Sequence, residues 1–271
     1  MNAILNFSHY NAYAKQNLLL AGLPDEEWSR FEADLEPIDL QVGKVLYEPG
    51  IAPSYVIFPT TAVVSLLYTT QDGTSSEIAV IGNEGVVGVS LFMGGSNSIN
   101  SAVVQSAGVG YRMRAQTVRN EASRAGPVLK MLLQYTESMI GQVAQTAACN
   151  RHHSIDQQLS RRLLQGLDRL LTDELMMTHE SLANLLGVRR ESVTAAALKL
   201  QQAGIISYSR GRIEVLNRPA LEKRSCECYA MSKLEHKRLL PNAVTHRMAS
   251  QPRLAVLHAV ASPQRAMALS Y

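Results

Sequence analysis

The residues whose types and spacing best support chemistry lie between positions 178 and 215. Arg189, Arg190, Glu191, Ser192 and Thr194 fall close together in a short polar run. A guanidinium can donate a two-pronged hydrogen bond to O6 and N7 of guanine, and a Glu carboxylate can accept from N4 of cytosine. The hydroxyls of Ser192, Thr194 and the earlier Thr178 suit phosphate oxygens, which position a protein on a duplex without reading its sequence. Lys199 adds a cation further along. Beyond Gly204, Arg210 and Arg212 flank Gly211, a basic tip suited to the sugar–phosphate backbone. Base reading and backbone contact therefore occur together in under forty residues.

These side chains need elements to hold them. Thr178 can cap a helix that turns Leu182, Ala183, Leu185 and Leu186 inward. Ala183 allows close approach of a second helix, and Gly187, four residues on, suits the positive φ of a sharp turn. Val188 fills the angle, and the second helix starts near Arg190 and buries Val193, Ala196, Ala197 and Leu200. This is the spacing of a helix-turn-helix whose second helix enters the major groove at its N-terminal end. Ile205–Val215 then reads as two short strands around the Arg-Gly-Arg tip, a wing. A helical hairpin with a solvated charged face is the plain alternative. Tight turn, basic helix start and basic wing occurring together favour DNA.

Charge and composition agree with two modules. The 271 residues are 46% hydrophobic and 18% charged, a globular balance, with a net charge of +3. Residues 1–150 carry eight basic against thirteen acidic side chains, a balance of −5, whereas residues 151–271 carry eighteen against ten, or +8. A basic second half suits a polyanionic partner. Three cysteines rule out a disulfide framework. The start, MNAILNFSHYNAYAKQ, lacks a basic region followed by a long apolar core, so a secretory signal is not expected. The uncharged stretches 49–71 and 85–111 are interrupted by prolines and glycines and are not membrane spans. A cytoplasmic protein with no membrane partner is expected.

The first half reads as short strands. Runs at Lys44–Tyr47, Tyr55–Phe58, Ala62–Tyr68, Glu77–Ile81, Ala102–Gln105 and Gly108–Met113 recur about every ten residues, and Asp72-Gly73 marks a tight hairpin. An antiparallel sandwich or barrel follows. Gly126-Pro127 opens a helix reaching about Asn150, with one apolar stripe of Val128, Leu132, Tyr135, Met139 and Val143. A second stripe holds Leu129, Leu133, Ile140, Ala144 and Ala147. Two stripes imply two partners, the β-rich domain and the same helix of a second chain. Leu132, Tyr135, Met139 and Val143 are assigned to the dimer helix, with burial inside a monomer as the alternative. The fold class is α+β: an N-terminal antiparallel β-roll over 17–125, a dimerisation helix over 126–150 and a winged helix-turn-helix over 151–230. Residues 231–271 form a C-terminal extension, of which 241–271 is a low-charge tail.

In this order of modules the chain resembles the Crp/Fnr superfamily of bacterial transcription regulators. The likeness rests on Ile81–Gly95, similar to a loop and short helix of a cyclic-nucleotide-binding-like β-roll; on Cys149–Leu164, similar to the junction into the DNA-binding domain; and on Asn217–Tyr229. It spans roughly residues 17–240. The resemblance implies a cytoplasmic homodimer on a near-palindromic site, with RNA polymerase as a further partner. Arg190 and Glu191 match the family's base-reading Arg and Glu, and Arg189 a backbone contact. Ala195 stands where a further base-contacting Arg is usual, so the half-site is expected to differ.

The family's cyclic-AMP binders use a Gly-Glu pair for the ribose and an Arg-Ser pair for the cyclic phosphate. Here those positions fall at Gly88-Val89 and Asn100-Ser101. Val89 accepts no hydroxyl hydrogen bond, and Asn100 supplies no cation. Losing one charge-assisted phosphate bond costs about 1.5–3 kcal/mol. Cyclic AMP is therefore not expected to bind in the usual way, and the effector is unknown. An iron–sulfur sensor needs four cysteines, and a haem sensor needs an axial ligand in the β-roll, where neither His nor Cys occurs from Asn11 to Ala148. The competing readings are a regulator of this fold that takes a cyclic nucleotide in another pocket, and a ligand-binding or scaffold protein whose helix-turn-helix meets protein.

Other clusters are read as structural. Cys149, His152, His153 and Asp156 share a face if one helix runs through them, but hinge contacts explain polar residues at a domain junction. Cys226 and Cys228, two apart on a helix, would point their thiols away from each other. No metal site and no cofactor is expected. No nucleophile–His–acid set, phosphate loop or metalloprotease motif is present, so the chain is not expected to be an enzyme.

Overall fold

The computed structural model describes residues 13–94, 97–170 and 172–239. The tail 241–271 lies outside the described residues. Helix α1 (Leu18–Ala21) begins at Asn17, whose side chain accepts from the Leu19 and Leu20 amides. The Asn17 amide nitrogen also donates to the Pro59 and Gly85 carbonyls at 2.9 and 2.8 Å, so this buried side chain is fully used. In α2 (Asp25–Glu32), Asp25, Glu26 and Glu27 occupy the first turn, where the helix dipole favours negative charge, and Trp28 and Phe31 are buried.

Seven strands follow: β1 (Glu36–Leu40), β2 (Val45–Tyr47), β3 (Tyr55–Pro59), β4 (Val63–Thr69), β5 (Ser75–Ile81), β6 (Ser101–Ser106) and β7 (Gly108–Arg114). All pairings are antiparallel, in two sheets ordered β1-β7-β3 and β2-β6-β4-β5. The β4–β5 turn contains Gly73 at φ +85°, as the Asp-Gly pair predicts. Gly108 is needed for a different reason. A Cβ there would lie 2.5 Å from the Ala62 amide nitrogen, where the chain doubles back on itself.

A helix not anticipated from sequence, α3 (Ala115–Ser123), leads to the long helix α4 (Pro127–His152). Val128, Leu132 and Tyr135 of α4 are buried in the core formed by Phe31, Phe58, Val86 and Met113. Met139 packs against that core and Val143 against the neighbouring one of Val64, Ala79 and Ile81. The assignment of Leu132, Tyr135, Met139 and Val143 to the dimer contact is therefore corrected. Those side chains hold the helix to its own β-roll, because a helix of 26 residues lying on a sheet must commit one stripe to it. The other stripe faces outward, with Leu133 54% and Ile140 61% exposed.

The second module opens with α5 (Ile155–Leu167), started by a capping box of Ser154 and Gln157. Its Leu159, Leu163 and Leu164 are fully buried, each contributing about 1.5–3 kcal/mol through burial. There follow β8 (Glu174–Met176), α6 (His179–Leu186), α7 (Arg190–Gln202), β9 (Ile206–Ser209), β10 (Arg212–Val215), α8 (Arg218–Arg224) and α9 (Cys228–Leu239). Strand β8, unforeseen in the sequence, joins the wing in the order β8-β10-β9. Helix α9 returns along α4, where Arg238 meets Glu137 at 3.1 Å.

The two modules touch through buried charge. Arg162 of α5 reaches Glu77 of β5, with Nε 2.6 Å from Oε1 and Nη2 donating to Oε2 at 2.9 Å. Arg169 donates to Glu84 at 2.6 Å. No described helix is long and apolar enough to cross a membrane.

Candidate nucleic-acid interface

Helix α6 starts at Thr178, whose Oγ1 accepts from the Ser181 amide at 3.0 Å. It ends at Gly187, in the left-handed region at φ +64°, where the Val188 amide donates to the Ala183 carbonyl. Val193, Ala196, Ala197 and Leu200 of α7 are buried against α5 and α6. That leaves the other face of α7 to solvent. Arg189, Arg190, Glu191 and Thr194 are exposed there, and Ser192 is half-buried. Arg190 lies 4.0 Å from Glu180 in an exposed pair that leaves it free to extend.

The wing turn is tight. Arg210 at φ +50° and Gly211 at φ +79° form a two-residue link between β9 and β10, the positive-φ pair that matches the twist of a hairpin. Arg210 is exposed at the tip. Arg212 is also exposed and pairs with Glu174 of β8. Lys199 does not join this group. It turns to α5 and meets Asp156 at 2.9 Å.

Two residues that sequence reasoning did not single out fasten wing to helix. The His179 ring stacks on Tyr208 of β9, with centroids 4.1 Å apart and an interplanar angle of 18°. Its Nδ1 lies 3.0 Å from Thr194 Oγ1, and that hydroxyl donates to the Arg190 carbonyl. Burial, then the nearby Arg190 charge, lowers the His179 pKa, so the ring is neutral at pH 7. The only signal for this clamp was an aromatic residue in a wing strand, and nothing in the spacing pairs positions 179 and 208.

In the β-roll, Gly88 adopts φ +108° at the start of a short 3-10 turn, Val89–Leu91, and Val89 packs on the core. The Asn100 side-chain oxygen accepts from Tyr47 Oη at 3.1 Å and Ser98 Oγ at 2.9 Å. Burial pushes the Tyr47 phenol up to about 12, so it remains a donor. Ser101 Oγ donates to the Leu67 carbonyl at 3.5 Å. All four positions are neutral.

The cysteines depart from expectation. Helix α4 ends at His152, and His153 is extended at φ −105°, ψ 152°, so no single helix face carries Cys149, His152, His153 and Asp156. Asp156 is engaged by Lys199 instead. Cys226 lies in the non-helical link between α8 and α9, so the helical spacing that separates the thiols of Cys226 and Cys228 does not apply. Both turn toward Cys149, and the three form one buried cluster with His153 beside it.

The chain thus joins a β-roll, a long helix along it and a winged helix-turn-helix. Residues 157–224 match the Crp-like helix-turn-helix domain. Among solved structures, a regulator assigned to the Crp/Fnr family from Eubacterium rectale is similar at TM-score 0.61 and 18% identity, over 76% of this chain and 96% of that one. FixK2 from Bradyrhizobium japonicum follows at 0.59 and 17%, covering 71% and 98%. A CRP-family transcriptional regulator from Thermus thermophilus gives 0.59 and 18%, covering 69% and 96%. No curated protein sequence matches the chain. Residues 157–224 therefore carry a Crp-like helix-turn-helix domain, and the chain shares the fold of these structures.

Proposed function

We propose that the protein is a sequence-specific transcription regulator, not an enzyme, acting in the cytoplasm as a homodimer on near-palindromic DNA. The observation that carries this reading is the exposed group Arg189, Arg190, Glu191 and Thr194 at the N-terminal end of α7, clamped through His179 to a wing tipped by Arg210. Thr178 and Arg212 border the same surface and supply backbone contacts. The exposed stripe of Leu133, Ile140, Ala144 and Ala147 on α4, with half-buried Leu129, is the surface proposed to meet the second chain. Two copies of α7 about one DNA turn apart then read two half-sites. RNA polymerase is the further partner at the promoter.

Cyclic AMP in the usual mode is not part of this function. Val89 is apolar and packs, partly buried, against the core, and Asn100 is held by Tyr47 and Ser98 rather than presenting a cation. Binding to duplex DNA, followed by fluorescence anisotropy at increasing salt, tests the proposal. Several Lys and Arg contacts predict a loss of affinity of about 10³-fold or more between roughly 50 and 200 mM salt. Salt-independent association, or no binding at low salt, overturns it.

A further inference from the structure

Four side chains from two distant parts of the chain converge beside the bend between α4 and α5. Cys149 lies on the last turn of α4, and His153 follows that helix. Cys226 and Cys228 come from the link after α8 and the start of α9. One ligand atom from each lies within 4.8 Å of every other. Cys149 Sγ is 3.5 Å from Cys226 Sγ, and Cys228 Sγ is 3.6 Å from His153 Nδ1. Zinc–sulfur and zinc–nitrogen bonds of about 2.3 and 2.0–2.1 Å at tetrahedral angles place sulfurs about 3.8 Å apart and sulfur and nitrogen about 3.6 Å apart. The cluster therefore has the dimensions of a single tetrahedral ion, and the ligand atoms sit too close together for a cluster of several irons.

The surroundings match those of a metal ligand set. Glu227 Oε1 lies 3.1 Å from His153 Nε2. A hydrogen bond donated there leaves the Nδ1 lone pair turned to the thiols, the carboxylate–histidine arrangement that orients metal-binding imidazoles. Gln158 donates to the His153 carbonyl at 2.8 Å and fixes the backbone between the ligands. The three cysteines are 0, 4 and 6% exposed, which excludes competing water. Arg161, 3% exposed on the first turns of α5, is a buried cation at the same junction.

We propose that Cys149, His153, Cys226 and Cys228 form a Cys3His zinc site that pins the C-terminal segment to the junction between the long helix and the DNA-binding module. Binding one Zn2+ displaces three thiol protons and leaves a complex of charge −1, which Arg161 balances. The site's place at the bend gives the ion a mechanical role. It fixes the angle at which α5 leaves α4, and with it the placement of α7.

The test uses the full chain, reduced, with Zn2+ measured by elemental analysis and Co2+ titrated into metal-free protein. One ion per chain is expected, with cobalt giving tetrahedral absorption and thiolate charge-transfer bands that Zn2+ removes. Cys228→Ser and His153→Ala should weaken binding by 100-fold or more. His153→Ala serves as the second variant should loss of a buried thiol prevent folding, because that ring is partly exposed. Glu227→Ala should keep the stoichiometry and weaken affinity about 10–100-fold. The proposal is overturned if reduced wild-type chain takes up neither ion, if Cys228→Ser and His153→Ala bind as wild type, or if Cys149 and Cys226 are found joined as a disulfide with no metal present.

Discussion

Replacing Glu77 by alanine removes one half of the buried contact between β-roll and helix-turn-helix module. Arg162 is 2% exposed in its side chain and Glu77 8%, and the guanidinium touches both carboxylate oxygens. After Glu77→Ala the cation keeps only the Gln105 side-chain oxygen, which it already uses. Stranding one partner of a buried ion pair costs about 3–5 kcal/mol. At about 2–4 °C of melting temperature per kcal/mol for a chain of this size, the midpoint should fall by roughly 6–20 °C. Thermal unfolding followed by circular dichroism measures the loss. Amide hydrogen exchange should quicken most in β5 and α5, the two elements the pair joins. The paired apolar swap Glu77→Leu with Arg162→Met should recover most of the loss, because no charge is then left buried. A Glu77→Ala protein within about 1 kcal/mol of wild type, or a double swap as damaging as the single change, would refute a stabilising role for the buried pair.

Neighbouring leucines on α4 should behave oppositely. Leu132→Ala should cost about 2–5 kcal/mol with association unchanged, whereas Leu133→Glu should leave the fold intact and halve the mass seen by light scattering. Gly187→Ala should lose about 1–2 kcal/mol, since it forces a left-handed backbone on alanine and brings its Cβ within 2.5 Å of Ser76 Oγ; an unchanged melting curve would refute that. Arg190→Ala should relax preference at one base pair of each half-site, while Arg210→Ala should weaken all sequences alike and lower the salt slope by about one, both read by binding titrations. The His179 clamp should depend on pH. Its folded pKa lies below the ordinary value of 6.5, so the clamp's contribution is fully present above about pH 6.5 and is lost as pH falls toward the folded value. A His179→Phe variant, which retains a ring to stack on Tyr208, should lose that pH dependence when monitored by amide exchange in the wing.

Much of this architecture was readable from local rules. The strand runs were bounded by turn residues such as Asp72-Gly73, and the Ala183–Gly187 spacing places the turn between α6 and α7 where the structure has it. Period alone could not say which stripe of α4 faces which partner. Both stripes are apolar, and only the position of the β-roll decides that Leu132 and Tyr135 are inside. Strand β8 is three residues long and exists because β10 pairs with it, so no local pattern marks it. Lys199 reads as one more cation beside the recognition residues until α5 brings Asp156 against it. The cysteine cluster was missed for a related reason. Cys149 and Cys226 are 77 positions apart, and the helix assumed to carry Cys226 ends before it.

In the proposed homodimer, two copies of α7 read two related DNA half-sites. Selection from a pool of random duplexes with purified wild-type protein tests this directly. The predicted result is an inverted repeat whose half-sites are centred about one helical turn apart, with a guanine preference that disappears in Arg190→Ala. Enrichment of no motif, or of a single unrepeated one unaffected by that substitution, would contradict it.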